Sequence, residues 1–348
     1  MTVMTQPSAS TGQAPVNRPF APAEVHRPRG DAAGRQDVGD QRSAPVYVYH
    51  ESIVLAVNVA LATGRPLLVR GPSGAGKSTL ARNAADVLGW RYYEEVVTSR
   101  TQARDLLWRV DLVRRLHEAH REGGKLDEDY TPFIEPGVLW WSFDPASAQR
   151  RGADPGAARV RPPAHKVAGK SGATRAVVLL DEIDKADPDV PNNLLVPLGS
   201  LRFQVDETGA TVRADREHAP LVMITTNGER DLPAAFLRRC VSVDLPPSGF
   251  ARLADIVTAH FEKLSREQAR GYVEAVVECF PESKQRLDEE RQRAAAAGEA
   301  ERPVDLVLSP AEVVDAVRAA LSLGIPIPGS EWSAVVAACT SGQRERGT

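Results

Sequence analysis

The chain has 348 residues, which exceeds one average domain and suggests about two. Hydrophobic residues make up 42% and charged residues 26%. A chain of this composition can bury a sizeable core, which excludes a wholly disordered protein. The net charge of -3 excludes a global positive field that would attract nucleic acid or anionic membrane. The 3 cysteines form no CxxC pair, and no apolar run is long enough for a membrane span or a signal peptide, so we predict a cytoplasmic protein.

Composition divides the chain into segments. Residues 1–45 are rich in Ala, Pro, Gly and Ser without periodic apolar positions, so we predict a disordered arm. Residues 46–246 alternate strand and helix patterns, and residues 247–340 carry helical patterns only. Within residues 46–246, the segment 144–175 is rich in Gly, Pro and basic side chains, which predicts a flexible basic insertion. This insertion is either a solvated loop or a contact to a partner or to nucleic acid. Residues 341–348 are predicted to be a disordered tail.

The first elements of the 46–246 domain follow a recognisable order. A helical pattern at residues 51–62 precedes a short apolar strand at 67–69, a glycine-rich loop, and a second helical pattern at 77–88. Four more strands are predicted at 92–97, 176–180, 221–225 and 241–245. Strands that alternate with helices are typical of a parallel sheet covered on both faces, so the sequence predicts an α/β domain with five parallel strands.

The glycine-rich loop carries the strongest motif. Residues 71–78 read G-P-S-G-A-G-K-S and fit the pattern G-x-x-x-x-G-K-[ST], after a strand and at the start of a helix. In this pattern main-chain N–H groups bind phosphate, Lys77 reaches the β- and γ-phosphates, and the Ser78 hydroxyl ligates Mg²⁺. The predicted ATP-binding residues are Gly71, Ser73, Gly74, Ala75, Gly76, Lys77, Ser78 and Thr79.

Two acidic residues follow the strand at 176–180. Asp181 and Glu182 are expected at the carboxyl edge of the sheet, where ligands of open α/β sheets bind. We predict that Asp181 holds Mg²⁺ together with Ser78, and that Glu182 is the general base that activates the attacking water.

Two further sites lie downstream. Asn227 ends the next strand at the same sheet edge, where its amide can position the water or contact the γ-phosphate. Arg238 and Arg239 end a short helix directly before the last strand. A guanidinium is suited to neutralising the charge that develops on a transferring phosphoryl group.

These motifs, in this order, resemble the AAA+ ATPases and, within them, the MoxR-like group. The resemblance implies a P-loop NTPase core with a five-stranded parallel sheet, followed by a small all-helical lid, with adenine near residues 47–49. Residues 202–213 look like the pre-sensor hairpin of the MoxR-like group. The resemblance also implies that Arg239 is the likelier arginine finger of the pair, that it acts on ATP held by a neighbouring subunit, and that the protein is a homo-oligomer, a hexameric ring.

The sequence departs from the family at the lid. A lid helix of the family often begins near Ser-Pro-Arg, but Ala311 follows Pro310 in this chain. Either Arg302 or Arg318 substitutes for the missing arginine, or the lid senses nucleotide differently.

The function predicted from the sequence is Mg²⁺-dependent ATP hydrolysis coupled to remodelling of a protein partner. One alternative is a nucleotide-controlled binding module or scaffold switch with little turnover, although the intact pair Asp181 and Glu182 argues against it. A small-molecule P-loop kinase and a nucleic-acid motor are further alternatives. The motor is supported by the basic insertion alone, so the sequence does not favour nucleic acid as a partner.

Overall fold

The computed structural model describes most of the chain. The described residues are 19–27, 46–121, 128–154, 156, 159–161, 167–169, 173–215, 218–245, 248–299, 302, 304, 306, 308–327 and 329–340. The predicted tail at 341–348 lies outside the described residues. None of the described helices is long and apolar enough to cross a membrane.

Strands are described from the N-terminal segment to the end of the α/β domain. They are β1 (Val25–His26), β2 (Tyr47–Val48), β3 (Leu67–Arg70), β4 (Arg91–Val96), β5 (Trp108–Val110), β6 (Ile134–Pro136), β7 (Val167–Gly169), β8 (Ala176–Asp181), β9 (Arg202–Gln204), β10 (Thr211–Arg213), β11 (Leu221–Thr226) and β12 (Val241–Asp244). In the described part of the chain, the central sheet has the strand order β12-β3-β11-β8-β4-β7, and the other strands form two-stranded antiparallel pairs.

The five-stranded parallel sheet predicted from the sequence is confirmed. Strands β12, β3, β11, β8 and β4 pair in parallel, and β7 adds an antiparallel sixth strand at the edge beside β4. Because the parallel strands share one direction, their carboxyl ends meet at one edge of the sheet. That edge carries the phosphate loop after β3, Asp181 at the end of β8, and Asn227 after β11.

Helices cover the sheet and then build the C-terminal domain. They are α1 (Glu51–Thr63), α2 (Lys77–Leu88), α3 (Leu112–Arg121), α4 (Val138–Phe143), α5 (Pro145–Gln149), α6 (Asp189–Asn193), α7 (Leu195–Ser200), α8 (Ala234–Leu237), α9 (Phe250–His260), α10 (Arg266–Val277), α11 (Pro281–Ala297), α12 (Pro310–Leu323) and α13 (Trp332–Cys339). Helices α9 to α13 share one apolar core that contains Leu253, Val273 and Val317, each fully buried. The predicted all-helical C-terminal region is therefore observed in the described residues.

Each face of the sheet has its own core, because alternate strand residues point to opposite sides. On one face Val178 and Leu180 of β8 pack with α4, and on the other Val177 and Leu179 pack with α1 and α2. This two-sided burial explains why β8 reads as a continuous apolar run in the sequence.

The prediction of a disordered arm over residues 1–45 is wrong for residues 19–27. Phe20 is fully buried beside Tyr49, and its main-chain N–H and C=O bond to the side chain of Asn58 at 3.0 and 2.7 Å. Strand β1 then pairs with β2. We call residues 19–27 the N-terminal strap. It is held by one aromatic anchor and by polar partners distant in sequence, which a search for periodic apolar positions does not detect.

The prediction of a flexible insertion over residues 144–175 is wrong for its described parts. The Asp144 carboxylate accepts a hydrogen bond from the N–H of Ser147 at 2.9 Å and so caps α5, and Ala148 of that helix is fully buried. Further on, β7 pairs with β4. Glycine, proline and basic residues dominate the composition of this segment and mask a short capped helix and a short edge strand.

Candidate active site

The phosphate loop is shaped by two glycines with positive φ. Gly76 (φ 91°) begins α2, and no side chain caps the first N–H groups of this helix, which leaves them available for an anion. Gly74 (φ 75°) lies so close to the lid that a Cβ atom there would be 2.6 Å from Ser309 Oγ. The N–H of Ala311 also bonds to the Gly74 carbonyl at 3.3 Å. The lid helix α12 therefore begins directly against the phosphate loop.

Lys77 is buried in the loop that it is predicted to serve. Its Nζ atom donates to Asn227 Oδ1 at 2.6 Å and to the carbonyls of Gly71 and Pro72 at 2.8 Å each. Burial lowers the pKa of Lys77, while the charges of Asp181 and of nearby carboxylates oppose this shift. The ammonium group is thus held by neutral acceptors at the position where a phosphate group would bind.

The residues predicted to hold magnesium are in contact. Ser78 Oγ donates to Asp181 Oδ2 at 2.8 Å, and the other Asp181 oxygen accepts from the buried Thr225 hydroxyl. A hydroxyl and a carboxylate are hard oxygen ligands of the kind that Mg²⁺ prefers, so the donor set fits this ion. When bound, Mg²⁺ neutralises charge that develops on the β- and γ-phosphate oxygens.

Glu182 has a strained main chain. Its φ and ψ of 60° and 49° are left-handed, a conformation rarely adopted by a residue with a side chain and one that concentrates at functional sites. The carboxylate accepts from Asn227 Nδ2 at 3.2 Å and pairs with Lys185 Nζ at 2.7 Å, and this contact raises the pKa of Lys185. The predicted base therefore lies between an amide and a cation.

Asp184 belongs to the site, although we assigned it no role from the sequence. Its side chain is buried, and Oδ2 accepts from the main-chain N–H groups of Asn227 and Glu229 at 3.1 and 3.0 Å. Asp184 therefore fixes the loop that follows β11 and orients Asn227. Asp184 follows Glu182 by two residues in the same acidic run, and this spacing is the sequence signal that could have indicated its role.

A cavity of about 330 Å³ extends from the phosphate loop to the lid. At the loop end it is lined by Gly74, Ala75, Gly76, Ser78, Thr79 and Asp181. Strand β2 and the lid helices supply the rest of the lining, including Tyr47, Val48, Arg252, Ile256, His260 and Val314. Of the predicted ATP-binding residues, Gly71, Ser73 and Lys77 do not line it, and the Lys77 ammonium is held instead by the Gly71 carbonyl. The phosphate loop in this lining is suited to phosphates, and the apolar side chains of Val48, Ile256 and Val314 are suited to a base.

Arg238 and Arg239 are not brought to the phosphate loop of their own chain. Both are exposed and lie just before β12, whose first residue Val241 pairs with Leu67 at the start of β3. The phosphate loop follows the other end of β3, so the arginines and the phosphate loop are separated by at least the length of this strand, about 10 Å. The arginines lie at the amino edge of the sheet, opposite the phosphate loop.

Arg65 holds the main chain of the segment that carries Arg238 and Arg239. The Arg65 guanidinium donates to the main-chain carbonyls of Arg238 at 2.6 Å, of Cys240 at 2.7 Å and of Arg239 at 3.2 Å. These are carbonyls at the end of α8, which have no partner within a helix. Arg65 therefore fixes the main chain from which both candidate finger side chains project.

Neither arginine suggested from the sequence as a lid sensor lines the cavity. Arg302 pairs with Glu299 at 3.4 Å, and Arg318 pairs with Asp315 at 3.6 Å and stacks over Phe261. The cavity wall at the start of α12 is formed instead by Pro310 and Ala311.

Comparison with known families agrees with this geometry. Residues 66–240, half of the chain, match the model of the AAA domain (dynein-related subfamily). The chain belongs to this family. It is an AAA+ ATPase, and it uses ATP with Mg²⁺. No curated protein matches its sequence.

Solved structures with a similar chain course include other ATPases. A Holliday junction branch migration motor, RuvB of Thermotoga maritima, is 15% identical over 79% of this chain and 68% of its own, with a TM-score of 0.35. A putative ATPase of Cytophaga hutchinsonii is 12% identical over 78% and 73%, with a TM-score of 0.38. At this level of similarity neither structure bears on the activity or partners of this AAA+ ATPase.

Proposed function

We propose that this AAA+ ATPase is a MoxR-like member that forms a ring and uses ATP hydrolysis to remodel a protein partner. The observation that carries the proposal is the position of Arg238 and Arg239 at the sheet edge opposite the phosphate loop of their own chain. The pair can serve catalysis only at a nucleotide bound by another subunit. The antiparallel hairpin of β9 and β10, which precedes β11, is consistent with the MoxR-like group.

Within one subunit the proposed roles follow the contacts. The phosphate loop and Lys77 bind the phosphates, and Ser78 and Asp181 hold Mg²⁺. Glu182 takes a proton from the attacking water, and Asn227 orients that carboxylate through its amide. Arg239, with Arg238 beside it, stabilises the charge on the transferring phosphoryl group of the neighbour.

In the proposed ring, each active site combines the base of one subunit with the arginine finger of its neighbour, and we call this the composite site. Two variants that each lack one of these two parts test the ring. Arg239→Ala keeps the base but lacks the finger, whereas Glu182→Gln keeps the finger but lacks the base. Co-expressed with two tags and purified through both, they should form mixed particles in which a Glu182→Gln subunit supplies its finger to an Arg239→Ala site. ATP turnover of the mixed particles well above that of either variant alone supports the ring. Turnover no higher than that of the separate variants would overturn the composite site, and Arg238→Ala in the same assay identifies which arginine acts.

The remodelling role requires that binding of the protein partner depends on the nucleotide state of the ATPase. Glu182→Gln should hold ATP and retain a partner, whereas Lys77→Ala should retain none because it lacks the phosphate-binding ammonium. A partner that is enriched with Glu182→Gln, lost with Lys77→Ala and released by the wild type on ATP addition supports remodelling. Equal recovery with both variants would contradict it.

A further inference from the structure

The lid contributes an arginine to the nucleotide cavity from α9, a helix on which no nucleotide-binding residue was predicted from the sequence. Arg252 lies on α9 and lines the cavity together with Tyr47 and Val48. It is half-buried, and burial lowers its pKa, although a guanidinium remains charged at neutral pH. The position at the start of α12, where the family often has an arginine, is Ala311.

Arg252 has few partners in the described part of the chain. Its Nη2 atom donates a long hydrogen bond to the Val48 carbonyl at 3.4 Å. Asp255 on the same helix attracts it, but that carboxylate already accepts from Arg266 at 2.7 Å. The other arginine in the cavity wall, Arg82, is paired with Glu94 at 2.6 Å. A half-buried guanidinium with five donors and no carboxylate partner among the described residues is suited to an anionic ligand.

The hydroxyl of Tyr47 is an independent indication that a ligand binds here. Its ring lies against the phosphate loop, since a Cβ atom on Gly76 would be 3.5 Å from it. The side chain is 5% exposed, and its hydroxyl is buried without a hydrogen-bond partner among the described residues. Burial also raises its pKa, while the charge of Arg252 lowers it, so the two groups lie near each other and the hydroxyl stays protonated. Buried hydroxyls are normally paired, so this one lacks a partner that a ligand can supply.

We propose that Arg252 and Tyr47 bind the phosphate side of the nucleotide, with Arg252 as the lid cation that Ala311 cannot supply. Because Arg252 belongs to α9 and the phosphates bind at the loop before α2, the contact would join the lid to the α/β domain whenever a nucleoside phosphate is present. The proposal rests on nucleotide binding in this cavity and does not depend on the ring proposed above.

Equilibrium binding of adenosine, AMP, ADP and ATP, each with Mg²⁺, tests the proposal on the full chain. Arg252→Ala should raise the Kd of ADP and ATP about 10- to 100-fold, the range for loss of a charge-assisted hydrogen bond, and should leave adenosine binding unchanged. Tyr47→Phe should give a smaller loss of at most about 10-fold with the same preference for the phosphorylated ligands. Arg252→Lys keeps the charge but loses the planar fork, so its affinity should fall between those of the wild type and Arg252→Ala.

Two reference variants make the outcomes separable. Arg302→Ala removes an exposed lid arginine away from the cavity and should bind all four ligands as the wild type does. Lys77→Ala should lose ADP and ATP binding, and if it does not, nucleotide binding in this cavity is itself wrong. With Lys77→Ala behaving as expected, unchanged ADP and ATP affinity in Arg252→Ala overturns the proposal. Equal weakening of adenosine and ADP overturns the phosphate assignment. Thermal unfolding checks that each variant is folded.

Discussion

Lys77 and Asn227 are joined by a hydrogen bond of 2.6 Å between the lysine ammonium and the amide oxygen. The NH₂ group of the same amide donates to Glu182 at 3.2 Å, so a single side chain connects the phosphate-binding cation to the predicted base. The three side chains therefore fix one another, and the Lys77 ammonium is surrounded by one amide oxygen and two main-chain carbonyls.

Asn227→Ala should lower kcat by about 10-fold, because Lys77 and Glu182 each lose a hydrogen bond that fixes their positions. Steady-state ATP turnover over a range of ATP concentrations separates this effect from a change in KM. Asn193→Ala, which truncates an exposed asparagine on α6, is the matched control and should behave as the wild type. An unchanged kcat in Asn227→Ala would show that the bridge has no role in turnover.

Glu182→Gln should reduce kcat by roughly 10²- to 10⁴-fold, the usual contribution of a general base, while ATP affinity stays near that of the wild type. The amide preserves size and can still contact Asn227, so lost turnover reports lost basicity. Glu229→Gln is the control, because this carboxylate lies close enough to act on the charge of Lys77 but uses only its main chain in the site. Equal turnover of Glu182→Gln and wild type would remove Glu182 as the base.

The parts of the fold that could be predicted from the sequence depend on local patterns. The phosphate loop and the buried strand β8 are each encoded by consecutive residues, and both occur at the predicted positions. The N-terminal strap could not be predicted, because it depends on Phe20 finding Asn58, which is 38 residues away in sequence. The role of Arg252 could not be predicted for the same reason, since α9 and β2 come together only in the folded chain.

Phe20→Ala should lower the free energy of unfolding by about 3–5 kcal/mol, the usual cost of truncating a fully buried phenylalanine. Urea unfolding followed by circular dichroism measures the change. Val25→Ala lies in the same strap but truncates a side chain that is 36% exposed, so it should cost far less. Similar stability of Phe20→Ala and the wild type would show that the strap contributes no net burial.

Arg65→Ala should reduce turnover in the same way as Arg239→Ala, because it removes the hydrogen bonds that hold the main chain of the finger segment. The decisive comparison is co-purification with Glu182→Gln. A defect that acts through the finger should be rescued in mixed particles, whereas damage to the nucleotide site of the same subunit should not. Arg65→Lys keeps the charge without the planar fork and should be intermediate.

Cys240 should make stability depend on pH in the alkaline range. Burial raises the pKa of its thiol from 9.0 to about 11, so the unfolded chain loses the proton at a lower pH than the native protein. The native state then binds more protons than the unfolded state, and the contribution of this group to stability is full below about pH 9 and falls as pH rises toward about 11. For a shift of about two units the loss is on the order of 2–3 kcal/mol.

Comparison with Cys240→Ala isolates this contribution. Lys77 has the opposite shift, which favours the native state as pH rises, but it is present in both proteins and cancels in the difference. Urea unfolding at about pH 8 and about pH 10.5 should therefore show the stability of the wild type falling relative to the variant. Cys279→Ala serves as the control, because Cys279 is only partly buried whereas Cys240 is buried. Parallel pH profiles for wild type and Cys240→Ala would show that the thiol ionises equally in both states.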